Sequence, residues 1–280
     1  MPQARSTPAA RSPAESLREF GRGIAGGLLF SLPLLYTMEV WDAGITLPPH
    51  RQLVYLAGTS VLLLGYNRYA GLHPESSWAE VVIDSVEELG IGLVLSAIIL
   101  FVLGRIPLDQ PLHEVLGPIV VEAMTIAIGV SVGTAQLGGD EDRGVDTRQI
   151  GLGGHLALAA CGAVLFAANV APTEEIVMLG LELAAGRLLL LALLSVALAG
   201  LILFFSDFRG SRRWAGADGW VGVTRGIVIT YAVGLVSSAL ILWLFGRFDG
   251  APLSAVVGQT VTLGVAATMG ASAGRLLLLQ

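Results

Sequence analysis

Long apolar runs separated by short polar breaks govern this sequence. A helix that crosses a bilayer needs about 20 mostly apolar residues, each rising about 1.5 Å. Applied along the chain, that requirement predicts eight spans, at 23–41, 52–69, 78–104, 114–137, 150–169, 183–205, 220–245 and 254–278. The stretch 170–186, with Ala171-Pro172-Thr173-Glu174-Glu175 near its start, fits a loop, a helix extension or a short re-entrant piece. Before the first span, Ser12-Pro13-Ala14-Glu15 reads as a capping box opening a short interfacial helix through Phe20. Pro33, Glu39 and Trp41 carry the following apolar stretch beyond a signal-peptide core, which predicts an uncleaved first span.

Composition agrees with this pattern and narrows the class. The 280 residues are 54% hydrophobic and 14% charged, with a mean hydropathy of +0.74. Soluble domains carry about 25% charge, so there is too little polar residue here to coat a soluble core. A soluble enzyme, a nucleic-acid binder and a disordered chain are excluded. The single cysteine, Cys161, allows no disulfide within the chain, and all 16 basic residues are arginine. Schiff-base lysine chemistry is therefore absent, and the arginine-for-lysine usage fits a GC-rich bacterial genome. Placing the N-terminus inside puts Arg5, Arg11, Arg18, Arg22, Arg68, Arg143, Arg148, Arg209, Arg212, Arg213, Arg225 and Arg275 on the cytoplasmic side. Only Arg51, Arg105, Arg187 and Arg247 fall outside. The positive-inside rule then predicts a multi-pass protein of the bacterial inner membrane with both termini cytoplasmic.

Self-similarity organises the spans. The segment from Gly92 to Arg105 aligns with that from Gly234 to Arg247, and Trp78 pairs with Trp220. Further on, Pro111-Leu112 pairs with Pro252-Leu253, and Gly129-x-Ser131-x-Gly133 with Gly270-x-Ser272-x-Gly274. Earlier spans match more faintly, Leu56…Ser60…Gly65 against Leu191…Ser195…Gly200, which also pairs Glu39 with Glu174. The expected architecture is all-α: a tail at 1–22, a four-span repeat at 23–137, an acidic cytoplasmic linker at 138–149 and a second four-span repeat at 150–280. Four spans are an even number, so the halves enter the membrane in the same direction, as in parallel-repeat transporters. Gly129/Gly133 and Gly270/Gly274 form small-xxx-small faces, and the simplest arrangement packs the fourth and eighth spans near the pseudo-axis.

Acids inside apolar segments are the unusual chemistry. The third span opens Ser77-Trp78-Ala79-Glu80 and continues through Asp84, Glu87 and Glu88, spacings that favour one helical face. Glu87 and Glu88 lie about 14 Å beyond Trp78 along the helix, near mid-bilayer. An aspartate at a helix centre costs about 2.5–3.5 kcal/mol to insert. These acids must therefore be protonated, paired or facing a hydrated cavity. Glu80 suits a capping-box partner for Ser77, and Arg225 in the seventh span suits an ion pair with Asp84. Glu122 lies within the fourth span, about 12 Å from its outer end, with no arginine in that span. Two readings stand side by side for Asp84, Glu87, Glu88 and Glu122. One is an ion or proton pathway, with Arg225 and Glu80 gating or pairing. The other is a structural polar network. Clustered carboxylates suit proton carriage, or a hard cation such as Ca²⁺.

At the outer side, Glu174 and Glu175 follow Thr173, a candidate N-cap, and can simply complement the helix dipole. Together with Glu39 and Glu182 they also define a candidate acidic vestibule. Other motifs fail on context. Gly129-Val130-Ser131-Val132-Gly133 and its repeat match a nucleophile elbow in spelling, but that elbow needs a strand before a helix. The Glu-Glu pairs lack the arginine of the membrane-protease pattern, Leu179 and Gly92 standing in its place. His155 is expected to be a buried, hydrogen-bonded histidine rather than a metal ligand. Arg105 and Arg247, each following a glycine at a span's end, suit interfacial anchors.

In its hydropathy profile and its Pro172-Thr173-Glu174-Glu175 stretch, the whole chain resembles a bacterial family of "putative integral membrane proteins" with no assigned activity. The resemblance implies a membrane fold and no chemistry. The expectation is a non-enzymatic small-cation or proton-coupled transporter or channel, or else a membrane subunit or scaffold whose acids fix its helices. The lipid bilayer is the expected partner, protons or an inorganic cation the candidate cargo, and a second copy of the chain a further candidate partner. No cofactor and no nucleic acid are implied.

Overall fold

The structure is a computed structural model, in which residues 13–70, 77–106, 111–137, 152–210 and 215–276 are described. Ten helices order the described residues, and none of these residues forms a strand. The first five are α1 (Pro13–Leu35), α2 (Met38–Thr46), α3 (Pro49–Ala70), α4 (Trp78–Val102) and α5 (Leu112–Gln136). The second five are α6 (Leu152–Val170), α7 (Glu174–Glu182), α8 (Ala185–Gly210), α9 (Ala215–Leu244) and α10 (Leu253–Leu276). The acidic linker 138–149 and the capping serine Ser12 lie outside the described residues.

Local sequence explains the boundaries. The expected capping box at α4 is formed: Glu80 N–H donates to Ser77 Oγ and Ser77 N–H to Glu80 Oε2. α4 and α9 end alike, each on a left-handed glycine, Gly104 at φ 68° and Gly246 at φ 72°. The following arginine N–H reaches back to the carbonyl five residues earlier, Arg105 to Leu100 and Arg247 to Leu242. That closure satisfies carbonyls a helix end would otherwise leave bare. Pro48 and Pro49 separate α2 from α3, because proline lacks the N–H needed to continue a helix.

Several expectations change. α1 does not pause at Phe20; interfacial helix and apolar run are one continuous helix. The first span does not continue through Glu39 and Trp41, since α2 turns away from α1 by 87°. The stretch 170–186 contains a separate short helix, α7. Its N-cap Thr173 makes no capping bond, and its hydroxyl donates back to Val170 O at 2.8 Å. Among the described residues six helices are long and apolar enough to cross a membrane by themselves, or seven if the bent α1–α2 pair is one span, against the eight spans expected. α3 falls short because Gln52, Tyr55, Asn67 and Arg68 dilute its apolar residues.

α5 is the most enclosed of the apolar helices, with 83% of its span buried, against 17% for α8. α5 packs on α1, α4, α2 and α3, and α10 packs on α6, α9, α8 and α7. The two groups meet chiefly where α6 lies against α3, α1 and α5. This placement corrects the expected role of the glycine faces. Gly129 and Gly133 of α5 sit against Gly26 and Gly27 of α1, while Gly270 and Gly274 of α10 sit against Leu158 and Gly162 of α6. Each face serves its own set of five helices, and α5 and α10 share no packed face. A Cβ on Gly133 would collide with the Gly26 backbone, and one on Gly270 with the Gly162 carbonyl. Backbones that approach this closely associate without a hydrophobic drive, which lipid cannot supply.

One contact between the two groups repairs a helix. Pro33 disturbs α1, and in an unbroken helix Leu34 N–H would bond the Phe30 carbonyl. Asn169 of α6 bridges these two groups: its Oδ1 accepts from Leu34 N–H and its Nδ2 donates to Phe30 O, both at 3.1 Å.

Candidate functional site

Among the polar groups buried in the first five helices, two sets lie at different levels. At one level, Asn67 of α3 faces α4 and α5. Its Nδ2 donates to Glu88 Oε2 at 2.7 Å and to Ser85 Oγ at 3.1 Å. Its Oδ1 accepts from Ser131 Oγ at 2.9 Å. Ser85 in turn donates to Val81 O. All four side chains are buried. One amide thus ties three helices together, and its donors and acceptor are all used.

The second level lies on α5, nine residues before Ser131 and so about 13 Å away along the helix. Glu122 is fully buried there, and neither carboxyl oxygen has a hydrogen-bond partner among the described residues. Its polar neighbourhood is Thr125, one turn along α5, whose Oγ1 lies 3.2 Å from Tyr55 Oη, and Tyr55 itself, within electrostatic reach of Glu122. A charged carboxylate held away from water without partners is strongly disfavoured. A proton, or a cation brought to it, would remove that charge penalty.

A cleft of about 190 Å³ opens above. Glu39, Asp42 and Thr46 of α2 line it, with Pro172, Glu174 at the start of α7, and Phe245 and Arg247 of the α9–α10 turn. Arg247 Nη1 binds Glu174 Oε1 at 3.0 Å. The same turn is clamped to α3. Arg51 makes a bidentate pair with Asp249, both distances 2.7 Å, and its guanidinium lies 5.4 Å from the Trp243 ring centre. The hydrogen bonds from the Arg51 guanidinium, helped by its charge, hold the Asp249 carboxyl below the usual carboxylate range. Below the turn, the Phe245 ring meets Tyr55 edge-on, centroids 6.2 Å apart. The cleft floor and the Tyr55–Thr125 pair are therefore linked through one aromatic contact.

The acids read from sequence as one line separate in the fold. Glu88 and Glu122 are buried, Asp84 is half-buried, and Glu80 and Glu87 are exposed. Glu87 points away because it sits beside Glu88 on α4, one residue round the helix from the face that meets Asn67. Asp84 and Arg225 stand on helices that share no packed face, α4 on α5, α3 and α1, α9 on α10, α6, α8 and α3. Of the vestibule residues, Glu39 and Glu174 reach the cleft, whereas Glu175 and Glu182 are exposed on α7 and do not line it. Arg105 covers the Trp41 ring at 4.0 Å. His155 is half-buried and within electrostatic reach of Arg275, which donates to Thr230 Oγ1 at 2.6 Å and Gly226 O at 3.0 Å. The Ser131 and Ser272 motifs lie within α5 and α10, which excludes the strand-to-helix elbow. Among the described residues no three His, Cys, Asp or Glu side chains come together as a metal site.

Sequence reasoning missed Asn67, Tyr55, Thr125, Asp42 and Phe245. A signal existed for Asn67, an uncharged amide inside an otherwise apolar run. None existed for Phe245, which matters only because the α9–α10 turn folds over α3.

Over residues 19–278 the chain matches the family described as "Putative integral membrane protein (DUF2391)". It belongs to that family. The description places family members in a membrane and names no activity, and with six or more apolar helices this member is a multi-pass protein in contact with lipid. No curated protein and no solved structure matches the chain.

Proposed function

We propose that this protein is a non-enzymatic carrier or channel for protons or a small inorganic cation, with its polar route through the first five helices. The observation that carries the reading is Glu122: a fully buried carboxyl with neither oxygen hydrogen-bonded among the described residues. At the spacing that pairs Gly129 with Gly270, Glu122 falls on Leu263, also fully buried. The matching buried position of the second five helices thus carries an apolar residue, and an acid at 122 needs a reason other than packing. The route runs from the cleft at Glu39, Asp42 and Glu174 to Glu122, then to the Glu88–Asn67–Ser131 group and Asp84. Arg225 and Glu80 stand outside it. Beyond this, the reading takes the bacterial inner membrane as its location, with both termini cytoplasmic and all eight long helices crossing as two parallel repeats.

A second reading is favoured by the hydrogen bond that ties Glu88 to Asn67. In it the protein is a non-transporting membrane subunit whose acids fix helix pairing. Proton and cation flux in proteoliposomes separates the two, measured for wild type, Glu122→Gln and Glu88→Gln with thermal stability read on each. Flux above empty liposomes that disappears in Glu122→Gln at unchanged or higher stability is the expected result. Absence of flux, with both variants melting lower, would establish the structural reading.

A further inference from the structure

Among the described residues, buried or clustered polar groups stand out at Glu122, at the outer cleft and at the Arg275–Thr230 contact of α10 and α9. The last is satisfied by its own bonds. The first two are joined by one aromatic contact.

We infer that Glu122 is a proton-binding carboxyl served from the outer cleft, and that the α9–α10 turn is its lid, with Phe245 as the plug. This deepens the proposed route and rests on it for its purpose. The turn belongs to the second five helices yet closes over a residue of the first. Gly246, left-handed at φ 72°, ends α9 so that Phe245 points inward to Tyr55 while Arg247 and Asp249 point outward. The lid is held from above by two ion pairs, Arg247–Glu174 and Arg51–Asp249. Phe245 and Tyr55 are both buried, so their rings close the space between cleft and carboxyl. Opening swings the turn outward, lifting Phe245 from Tyr55 and parting two ion pairs whose carboxylates, Asp249 and Glu174, are already exposed.

The occupant follows from the oxygen count. Hard cations take six or more oxygen ligands, whereas Glu122 is joined here by the Thr125 and Tyr55 hydroxyls, already engaged with each other. A proton needs one lone pair. Titratable groups on the neighbouring elements are few. α3 presents Tyr55, α2 places Glu39 and Asp42 in the cleft, and α4 carries Glu88, which is bonded to Asn67. α6 carries Cys161, whose thiol faces Leu62 O, and α1 meets α5 through Gly23, Gly26 and Gly27, with Arg22 at the Gly133 end of that face.

Carbodiimides test both parts without any flux measurement, because they add to the protonated carboxyl and leave a stable N-acylurea that mass spectrometry assigns to a residue. The full-length protein in liposomes is treated with dicyclohexylcarbodiimide and, separately, with a water-soluble carbodiimide across a pH series. The apolar reagent labels Glu122 in wild type, labelling falls as pH rises, and Glu122→Gln abolishes it. The water-soluble reagent labels Glu39 and Glu174 readily and Glu122 slowly. In Phe245→Ala it labels Glu122 about ten-fold faster, the rate reporting how often the turn stands open. Should Phe245→Ala fail to fold, Phe245→Leu thins the plug and gives the same readout. No labelling of Glu122 at any pH, or protection by sodium or potassium ions at fixed pH, overturns the proton assignment. An unchanged rate in the Phe245 variants overturns the lid. Labelling as expected without flux leaves the site standing and removes the transport reading.

Discussion

Helices α1–α5 and α6–α10 come in the same order, a long helix, a nine-residue helix and three long ones. Each set closes on contacts at corresponding glycines, Gly26 on Gly133 and Gly162 on Gly270, then Gly44 on Gly117 and Gly180 on Gly258. Their interiors diverge. Where the first set buries Glu122, the second buries Leu263. At the spacing that pairs Gly44 with Gly180, Asn67 meets Leu203, and at the spacing that pairs Gly92 with Gly234, Glu88 meets Thr230. Two assemblies with the same seams can therefore differ completely in what they enclose. The seams are set by small residues, which tolerate almost nothing else. The enclosed positions accept either chemistry if partners are supplied, so they are where a function can be written into one side only.

That comparison can be broken most severely at the seams. Gly133→Ala and Gly270→Ala each drive a methyl into a facing backbone, and each is expected to destabilise by about 3 kcal/mol or more. Equal losses of detergent-stable monodisperse protein from both variants would establish that the two seams are equivalent. A variant that tolerated the methyl would end the parallel.

The next effect separates the interiors. Asn67→Leu copies the second set's residue but strands Glu88 and Ser131, with an expected loss of about 2–3 kcal/mol in thermal melts. Adding Glu88→Thr, the second set's residue there, recovers much of it, since the stranded carboxyl goes too. If the double variant melts no higher than Asn67→Leu alone, Asn67 supports the fold by some means other than the network.

Glu122→Leu should go the other way. Removing a buried, unbonded polar group is expected to stabilise by about 1–3 kcal/mol while removing any flux. A gain in melting temperature with loss of flux would mark Glu122 as a residue kept against stability.

The smallest effect belongs to the lid. Asp249→Asn should lower the melting temperature slightly at neutral pH and not at all in acid. The Asp249 carboxyl sits below its ordinary range, so its pairing with Arg51 stabilises the fold above the unfolded-state value. That contribution is lost as pH falls through the folded-state value. A melt difference between wild type and Asp249→Asn that persisted in acid would rule out the ion pair as its source.

The membrane class was legible because lipid imposes one coarse demand, length of apolar run, and the chain meets it repeatedly. α3 shows the limit of that demand. Its Asn67 and Arg68 lower its hydropathy although Asn67 is turned inward to Glu88 and Ser131. A sum over residues cannot see direction. The Ser77–Glu80 cap was legible because both partners are three residues apart. The acid line was legible as spacing, but one residue of helical rotation puts Glu87 outside and Glu88 inside. The Asp84–Arg225 pair failed because depth in a membrane says nothing of which helices are neighbours. Phe245 meets Tyr55, Asp249 meets Arg51 and Asn169 meets Leu34 across more than 100 residues of chain, and no local pattern encodes such meetings.

The α1–α5 seam has a consequence for how the chain is made. The partner of α1 is the last helix of its set, ending at Gln136, about 100 residues after α1 ends at Leu35. At ribosomal speeds that is roughly 5–20 s of synthesis. Through that interval the glycine seam of α1 has no mate, and α6 waits similarly for α10. The nascent protein therefore twice presents four helices whose shared central partner, α5 and then α10, is delivered last. Quality control during biogenesis has two windows in which to find it unfinished.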